Sequence, residues 1–470
     1  MKSSLERYSA PIVTALVLIC AWLWAAAVGY EGLNGQDGHD YLRMAQDWSS
    51  VFEGGEPPVM VEHPHGYPLL GALLAKLVGS ELLALRLMSA TALLLIAELM
   101  VRVLRNTGAS GTTYRWWPLF GLALAPFLLR QSLTVMSDMS AISLCVAAFA
   151  HTLRWQRSRR AGPLLVAVVC FALAVSFRLA AVPFAFLTAM WCVVRWLGVR
   201  KGGALLLLSL VVVMGALLLS SDTLKELLDR LPLGDWSVLN MFDRVHHSDD
   251  GTLSYLLPNV VRVWAVFVHP GFMPLGVALL AFVRREDLRA PHVQLALLSI
   301  AGYLLFVAGM PYQNDRVLLM AQPFVWLVLA PAFERAYSFA LRTMPAIKSM
   351  IALLLVALVG LCWRAVDPFA TQAARERYLV AAVCATNATR IYTHGMGAAC
   401  GTYCPRLLTT ELWYGKIGSF EPGALVLINP ADLAAQWQGT PPGINWENVQ
   451  RQGLSGHVAL GGGWVLARVR

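Results

Sequence analysis

Apolar residues along this chain come in long runs broken by short polar loops, without the alternation that marks half-buried strands. A helix needs roughly 20 apolar residues to cross about 30 Å of hydrocarbon. About eleven segments read as candidate spans by that measure. They lie near 10–29, 85–104, 116–130, 139–153, 162–176, 180–198, 203–220, 263–283, 295–310, 317–333 and 349–366. The first has a basic start and Ala25-Ala26-Ala27, like a cleaved leader, but more spans follow at once, so a retained signal-anchor is the plainer account.

Composition agrees with a polytopic membrane protein, being 57% hydrophobic and only 14% charged. The net charge of +9 is largely a topology signal. Basic residues gather at alternate ends of the spans: Lys2 and Arg7; Arg102, Arg105 and Arg115; Arg154 to Arg160; Arg195 to Lys201; Arg284 to Arg289; Arg335 to Lys348. These loops are read as cytoplasmic, and no nucleic-acid partner is needed to explain the charge. The N-terminus then lies inside, and loops 30–84 and 222–262 lie outside. Residues 1–366 form the membrane domain and 367–470 an extracytoplasmic C-terminal domain. Small cytoplasmic loops point to a bacterial inner membrane, with this domain in the periplasm.

The C-terminal stretch is less apolar and long enough for a small domain. Leu425 to Ile428 and Trp464 to Ala467 read as strands and Asp432 to Gln436 as a helical turn. The expected fold class is therefore mainly α, a membrane helix bundle with a small C-terminal α/β domain. Cys384, Cys400 and Cys404 fall in that domain, where oxidising conditions permit one disulfide among them. The other cysteines lie in or near apolar spans as small buried hydrophobes.

The chain has no Walker loop, no GxGxxG and no HExxH. Its distinctive chemistry lies in loop 30–84, where polar residues form two clusters around a Gly/Pro/Glu-rich turn at 53–58. Asp37, Asp40, Tyr41 and Asp47 make the first; Glu62, His63 and His65 make the second. From Asp40 to Trp48 the spacing predicts a short interfacial helix, with Gly35 and Gly38 allowing a turn in which Asp37 points off its start. Arg178 and Asp315-Arg316 interrupt apolar stretches at the same membrane face, where ionisable residues are costly enough to merit a functional reading. His246-His247 with Asp249-Asp250 reads as a solvated loop rather than a metal site.

Asp37-Gly-His-Asp-Tyr41 followed by Val61-Glu-His-Pro-His-Gly-Tyr-Pro68 resembles the first extracytoplasmic loop of GT-C class membrane glycosyltransferases. The likeness is to the branch holding protein O-mannosyltransferases and lipid A aminoarabinose transferases. The resemblance implies Asp37 as the general base, with Asp138 as a second acid at an outer helix end. It implies Glu62 as the acid of the second element and His63 as a donor-phosphate contact. Many members carry a second acid where Gly38 stands; Asp40 is the candidate substitute, although some members have a basic phosphate contact at that place. Tyr41, Arg43, Arg178 and Arg316 complete the candidate substrate contacts.

The chemistry fits on its own terms, because glycosyl transfer from a lipid phosphate needs a carboxylate for the acceptor proton and cations for the leaving phosphate. The implied function is transfer of a sugar from a polyprenyl-phosphate donor to an extracytoplasmic glycan, lipid or protein acceptor, inverting the anomeric carbon. No cofactor is required by that scheme, and a divalent metal is not indicated. Two other classes stay open: a transporter or flippase of a lipid-linked sugar, and a non-catalytic subunit of polysaccharide assembly, which the departure at Gly38 keeps in play.

Overall fold

Long apolar runs become helices in a membrane because each backbone N–H and C=O finds its partner inside its own segment. The structure, a computed structural model, describes residues 2–56, 58, 63–107, 119–196, 236–248, 251–343 and 345–470. The expected span at 203–220, Glu62, and Asp249 and Asp250 lie outside the described residues. The bundle is built from α1 (Lys2–Ala27), α4 (Glu81–Asn106), α6 (Ser137–Ser158), α7 (Ala161–Phe177), α8 (Val182–Trp196), α9 (Pro291–Ala308), α10 (Gln322–Thr343) and α11 (Ile347–Cys384). Three shorter helices join them: α2 (Gly35–Val51), α3 (Gly66–Val78) and α5 (Pro126–Ser132).

Among the described residues, five helices are long and apolar enough to cross a membrane, or six if the bent pair α5 and α6 counts as one span. Of the other expected segments, 203–220 lies outside the described residues, those at 10–29 and 162–176 are shorter apolar helices, and two are broken locally. The stretch expected as a span at 263–283 holds two short helices, Ala265–Val268 and Gly276–Leu280, separated by Pro270 and Pro274. Proline has no N–H to donate and clashes with the preceding turn, so apolar composition alone could not keep that helix whole. At 116–130, Pro126 likewise starts a new helix, and α5 meets α6 at 111°. That bend brings the start of α6, with Asp138 in its first turn, beside α5.

Aromatic rings fill the bundle centre. Phe324 of α10 packs on Phe149 of α6 at 5.2 Å and on Phe184 of α8 at 5.0 Å, and Phe184 meets Tyr303 of α9 at 4.5 Å. Each such side chain removes a large apolar area and fixes its neighbours' angles. α3 approaches α7 closely at Gly66, where a Cβ would stand 2.6 Å from the Ser176 carbonyl oxygen. Only glycine fits there without displacing backbone.

α11 runs 38 residues, through Pro368 and past position 366, and ends on the C-terminal sheet. At 1.5 Å per residue it is about 57 Å long, well beyond the hydrocarbon thickness of about 30 Å. Its last turns contribute Leu379, Val380 and Val383 to the core beneath the sheet. The sheet has the strands β3 (Arg390–Thr393), β4 (Leu408–Glu411), β5 (Leu425–Ile428), β6 (Leu454–Ala459) and β7 (Val465–Val469), in the order β4-β3-β5-β7-β6. A separate hairpin, β1 (Val245–Ser248) with β2 (Gly251–Ser254), precedes it in the chain. β3 pairs in parallel with β4 and β5, while β7 is antiparallel to both β5 and β6. Leu425 and Leu427 of β5 face α11, and Val426 and Ile428 face the opposite core with α13 (Pro430–Gln436) and α14 (Pro441–Gln452). A strand buried on both faces reads as an unbroken apolar run, as Leu-Val-Leu-Ile does. α12 (Gly397–Tyr403) is tied to the end of α11 by the Cys384–Cys404 disulfide, while Cys400 is a buried free thiol.

Candidate active site

Helix α2 lies along the side of the bundle that carries the sheet, burying Gly38, Tyr41, Leu42 and Ala45 on one stripe. It begins at Gly35, so Asp37 sits inside the first turn rather than off the helix start, as the sequence had suggested. The reason is long-range. Asn34 makes no side-chain cap, and the Gly35 N–H donates instead to Glu376 Oε1 of α11 at 3.2 Å. That carboxylate satisfies an orphan donor and favours the positive end of the helix.

Asp37 meets a guanidinium and an imidazole. Arg316, from the connection between α9 and α10, donates through Nη1 to Asp37 Oδ2 at 2.7 Å, and His63 Nε2 lies 3.8 Å from Oδ1. The same guanidinium reaches Asp138 Oδ2 from Nη2 at 3.2 Å and from Nε at 3.3 Å. Arg178, between α7 and α8, closes the other side of Asp138 with Nη1 to Oδ1 at 2.9 Å. Gln131 of α5 adds an N–H to Asp138 Oδ2 at 3.1 Å. Two arginines are thus matched to two aspartates drawn from distant parts of the chain.

The two acids differ in access. The Asp37 side chain is 36% exposed and that of Asp138 is 0% exposed. Burial alone would raise the Asp37 carboxyl, but Arg316, then His63 and Arg178, outweigh it and hold the group below the usual carboxylate range. Burial lowers the hold of Arg316 on its proton, yet Asp138 and Asp37 reverse that and push it up. Arg316 is therefore a fixed cation and Asp37 a fixed anion in this arrangement.

Aromatic and hydroxyl groups support the cluster from below. Tyr41 shares a 2.8 Å hydrogen bond with Ser137, stacks near His63 at 4.8 Å and meets Tyr67 edge-on at 5.2 Å. Tyr67 in turn donates to the Leu85 carbonyl at 3.0 Å.

The structure brings Asp37, His63, Asp138, Arg178 and Arg316 together, with Tyr41 beside them. It does not place Asp40 and Arg43 in that network: they pair with each other at 2.9 Å, and Arg43 is 55% exposed. An i,i+3 pair on one helix is the nearest solution open to both side chains, which explains the choice. Burial raises the Asp40 carboxyl, and Arg43 offsets only part of that. At Gly38 a Cβ would lie 3.6 Å from Leu33 Cα and from the Val135 carbonyl oxygen. Those are ordinary van der Waals contacts, so the structure gives no steric reason for the missing second acid of the family pattern.

The sequence did not single out Gln131 or Arg130, and Tyr67 entered only as part of the second motif. The polar pair Arg130-Gln131 at the end of an apolar run was the one available signal. On the other side of α2, His39 contacts Glu376 Oε2 at 3.4 Å and shares a 3.0 Å hydrogen bond with Thr402 of α12. Among the described residues no three His, Cys, Asp or Glu side chains gather as a metal centre would require.

Helices long and apolar enough to cross a membrane, a charge cluster at one end of the bundle and an appended sheet domain together give the fold of a polytopic membrane protein. The particular likeness is to ArnT from Cupriavidus metallidurans. Its apo structure matches with a TM-score of 0.57 at 13% identity, covering 98% of this chain and 97% of that one. Its structure bound to undecaprenyl phosphate matches with a TM-score of 0.56 at 12% identity, covering 98% of each. No protein-family model and no curated protein matches the chain.

Proposed function

We propose that this protein is a membrane glycosyltransferase that moves a sugar from a polyprenyl-phosphate donor to an extracytoplasmic acceptor. The observation that carries the reading is the Arg316 guanidinium bridging an accessible carboxylate, Asp37, and a buried one, Asp138. Likeness to a structure bound to undecaprenyl phosphate supports a polyprenyl phosphate as the lipid.

In this scheme the acceptor hydroxyl oxygen attacks the anomeric carbon as the bond from that carbon to the phosphate oxygen breaks. The electron pair leaves on the phosphate, the hydroxyl proton passes to Asp37, and the anomeric configuration inverts in one step. Asp37 takes the proton because it is the exposed acid of the pair; Asp138 has no path to an acceptor and serves to fix both arginines. Arg316 has a dual role. While it is paired with Asp37 it keeps that carboxylate ionised but weakly basic. When the guanidinium turns toward the leaving phosphate, Asp37 loses its partner and its affinity for the acceptor proton rises. Arg178 adds positive charge, and the His63 ring a hydrogen-bonding nitrogen, where the phosphate charge develops. Tyr41 sets the position of His63 by stacking.

The test is transfer of radiolabelled sugar from a panel of polyprenyl-phosphate donors by the protein in proteoliposomes, with the anomeric configuration read by NMR. Transfer with inversion supports the reading. Translocation of the labelled lipid without transfer would replace it with a flippase, and retention of configuration would rule out single displacement.

A further inference from the structure

Arg130 is a buried cation that the scheme above leaves unused. It is 8% exposed, and its Nε has no hydrogen-bond partner. Its guanidinium lies between two aromatic faces, 4.7 Å from the Phe127 ring and 4.5 Å from the Phe369 ring of α11. Its electrostatic neighbours include Asp315, Arg316 and Asp138. Those acids are committed elsewhere: Asp315 pairs with Arg262, and Asp138 with Arg178 and Arg316. Among the described residues no carboxylate forms an ion pair with Arg130.

Charge counting gives this weight. Arg178 and Arg316 are balanced by Asp37 and Asp138, and His63 faces Asp37. A phosphate entering such a cluster finds little uncommitted positive charge unless another cation stands near. An unpaired buried guanidinium is expensive to keep, and two rings that hold it in one orientation remove the freedom that a surface arginine would use to reach water. Arg130 also belongs to the same short helix as Gln131, which already touches Asp138 at 3.1 Å.

We infer that Arg130 binds the phosphate ester of the lipid-linked donor, an anion that completes its coordination. The inference rests on the proposed function and adds a residue to that site. The cation–π contacts pre-orient the guanidinium, so the planar fork is ready for two phosphate oxygens. Phe369 makes α11, and through it the sheet domain, part of the wall of this subsite.

The experiment measures thermal stability and binding of the full chain in detergent with undecaprenyl phosphate, undecaprenol and inorganic phosphate, for wild type, Arg130→Met and Arg130→Lys. The expected result is stabilisation of wild type by undecaprenyl phosphate, with neither other probe matching it. Arg130→Met should bind undecaprenyl phosphate at least about tenfold more weakly, the loss of a charge-assisted contact. Its binding of undecaprenol should not change. Without ligand, Arg130→Met should melt at or above wild type, because the unpaired charge is gone. A structural role requires the reverse, and a large drop in its melting temperature would overturn the inference. If Arg130→Met does not fold, Arg130→Lys decides: weakened phosphate-lipid binding supports the inference and wild-type binding overturns it. Equal stabilisation by inorganic phosphate would make the ligand a free anion and overturn the lipid assignment. If wild type itself does not distinguish undecaprenyl phosphate from undecaprenol, the proposed function fails first; if wild type distinguishes them and Arg130→Met does so equally, only the Arg130 inference fails.

Discussion

Helix α2 presents two ionisable residues two positions apart, Asp37 and His39, to two quite different surroundings. The His39–Glu376 pair is closed, with side chains 1% and 7% exposed. Both Glu376 oxygens are in use, by the Gly35 N–H, Gln372 and His39. The Asp37 side is open, with a 36% exposed carboxylate and two arginines whose ion pairs, among the described residues, are with aspartates of the same cluster. A closed pair holds elements in register; an open, mutually neutralised cluster can exchange a carboxylate for an incoming anion. The same turn of helix therefore acts as an anchor on one face and as chemistry on the other.

The comparison breaks most visibly at Asp138. Asp138→Asn leaves Arg178 and Arg316 without their buried counter-charge, and the expected cost is about 3–5 kcal/mol of stability. A thermal melt within error of wild type would show that the cluster is not an electrostatic unit. Next comes Glu411 at the end of β4, which accepts N–H groups from Gly395 and Gly397 and feels the charge of Asp40. Burial raises its carboxyl from 4.5 to about 7, even though those N–H groups pull it down. Because the folded state holds this proton more tightly than the unfolded one, the contribution is full below about 4.5 and is lost as pH rises through about 7. The loss is roughly 3 kcal/mol at most. Glu411→Gln should flatten the stability profile in that window, which chemical denaturation at stepped pH would reveal.

On the closed side, Glu376→Gln removes the charge opposite His39 and weakens the hold on Gly35. The expected destabilisation is about 1–3 kcal/mol, with transfer slowed through kcat while the KM for donor stays put. A raised KM at unchanged kcat would place Glu376 in donor binding instead. The smallest effect is expected one turn further, at half-buried Asp40, whose partner Arg43 is exposed: Asp40→Asn should change stability by less than about 1 kcal/mol and leave transfer nearly intact. Loss of transfer there would move the base from Asp37 to Asp40.

Much of this was legible in the residues. The two motif clusters and the isolated arginines Arg178 and Arg316 were visible, because charge beside an apolar run stands out against a hydrocarbon background, whereas Asp138 came from the family pattern. The strands at 425–428 and near the C-terminus were equally plain from their unbroken apolar runs. What local reading missed depended on partners far away in sequence. Glu376 fixes where α2 begins from 341 positions downstream of Gly35. Gln131 reaches Asp138 only because the chain bends by 111° between them. Periodicity also could not foresee that two prolines would divide the stretch at 263–283, since composition there is as apolar as in a true span.

The central claim is that Asp37 takes the acceptor proton. The most direct measurement is sugar transfer by Asp37→Asn at matched expression, alongside its binding of the polyprenyl-phosphate donor. The account expects transfer to fall by about 10²–10⁴-fold, the usual share of a positioned base, while donor binding is kept or tightened because Arg316 is freed. Transfer at the wild-type rate, with the variant folded and donor bound, would contradict it.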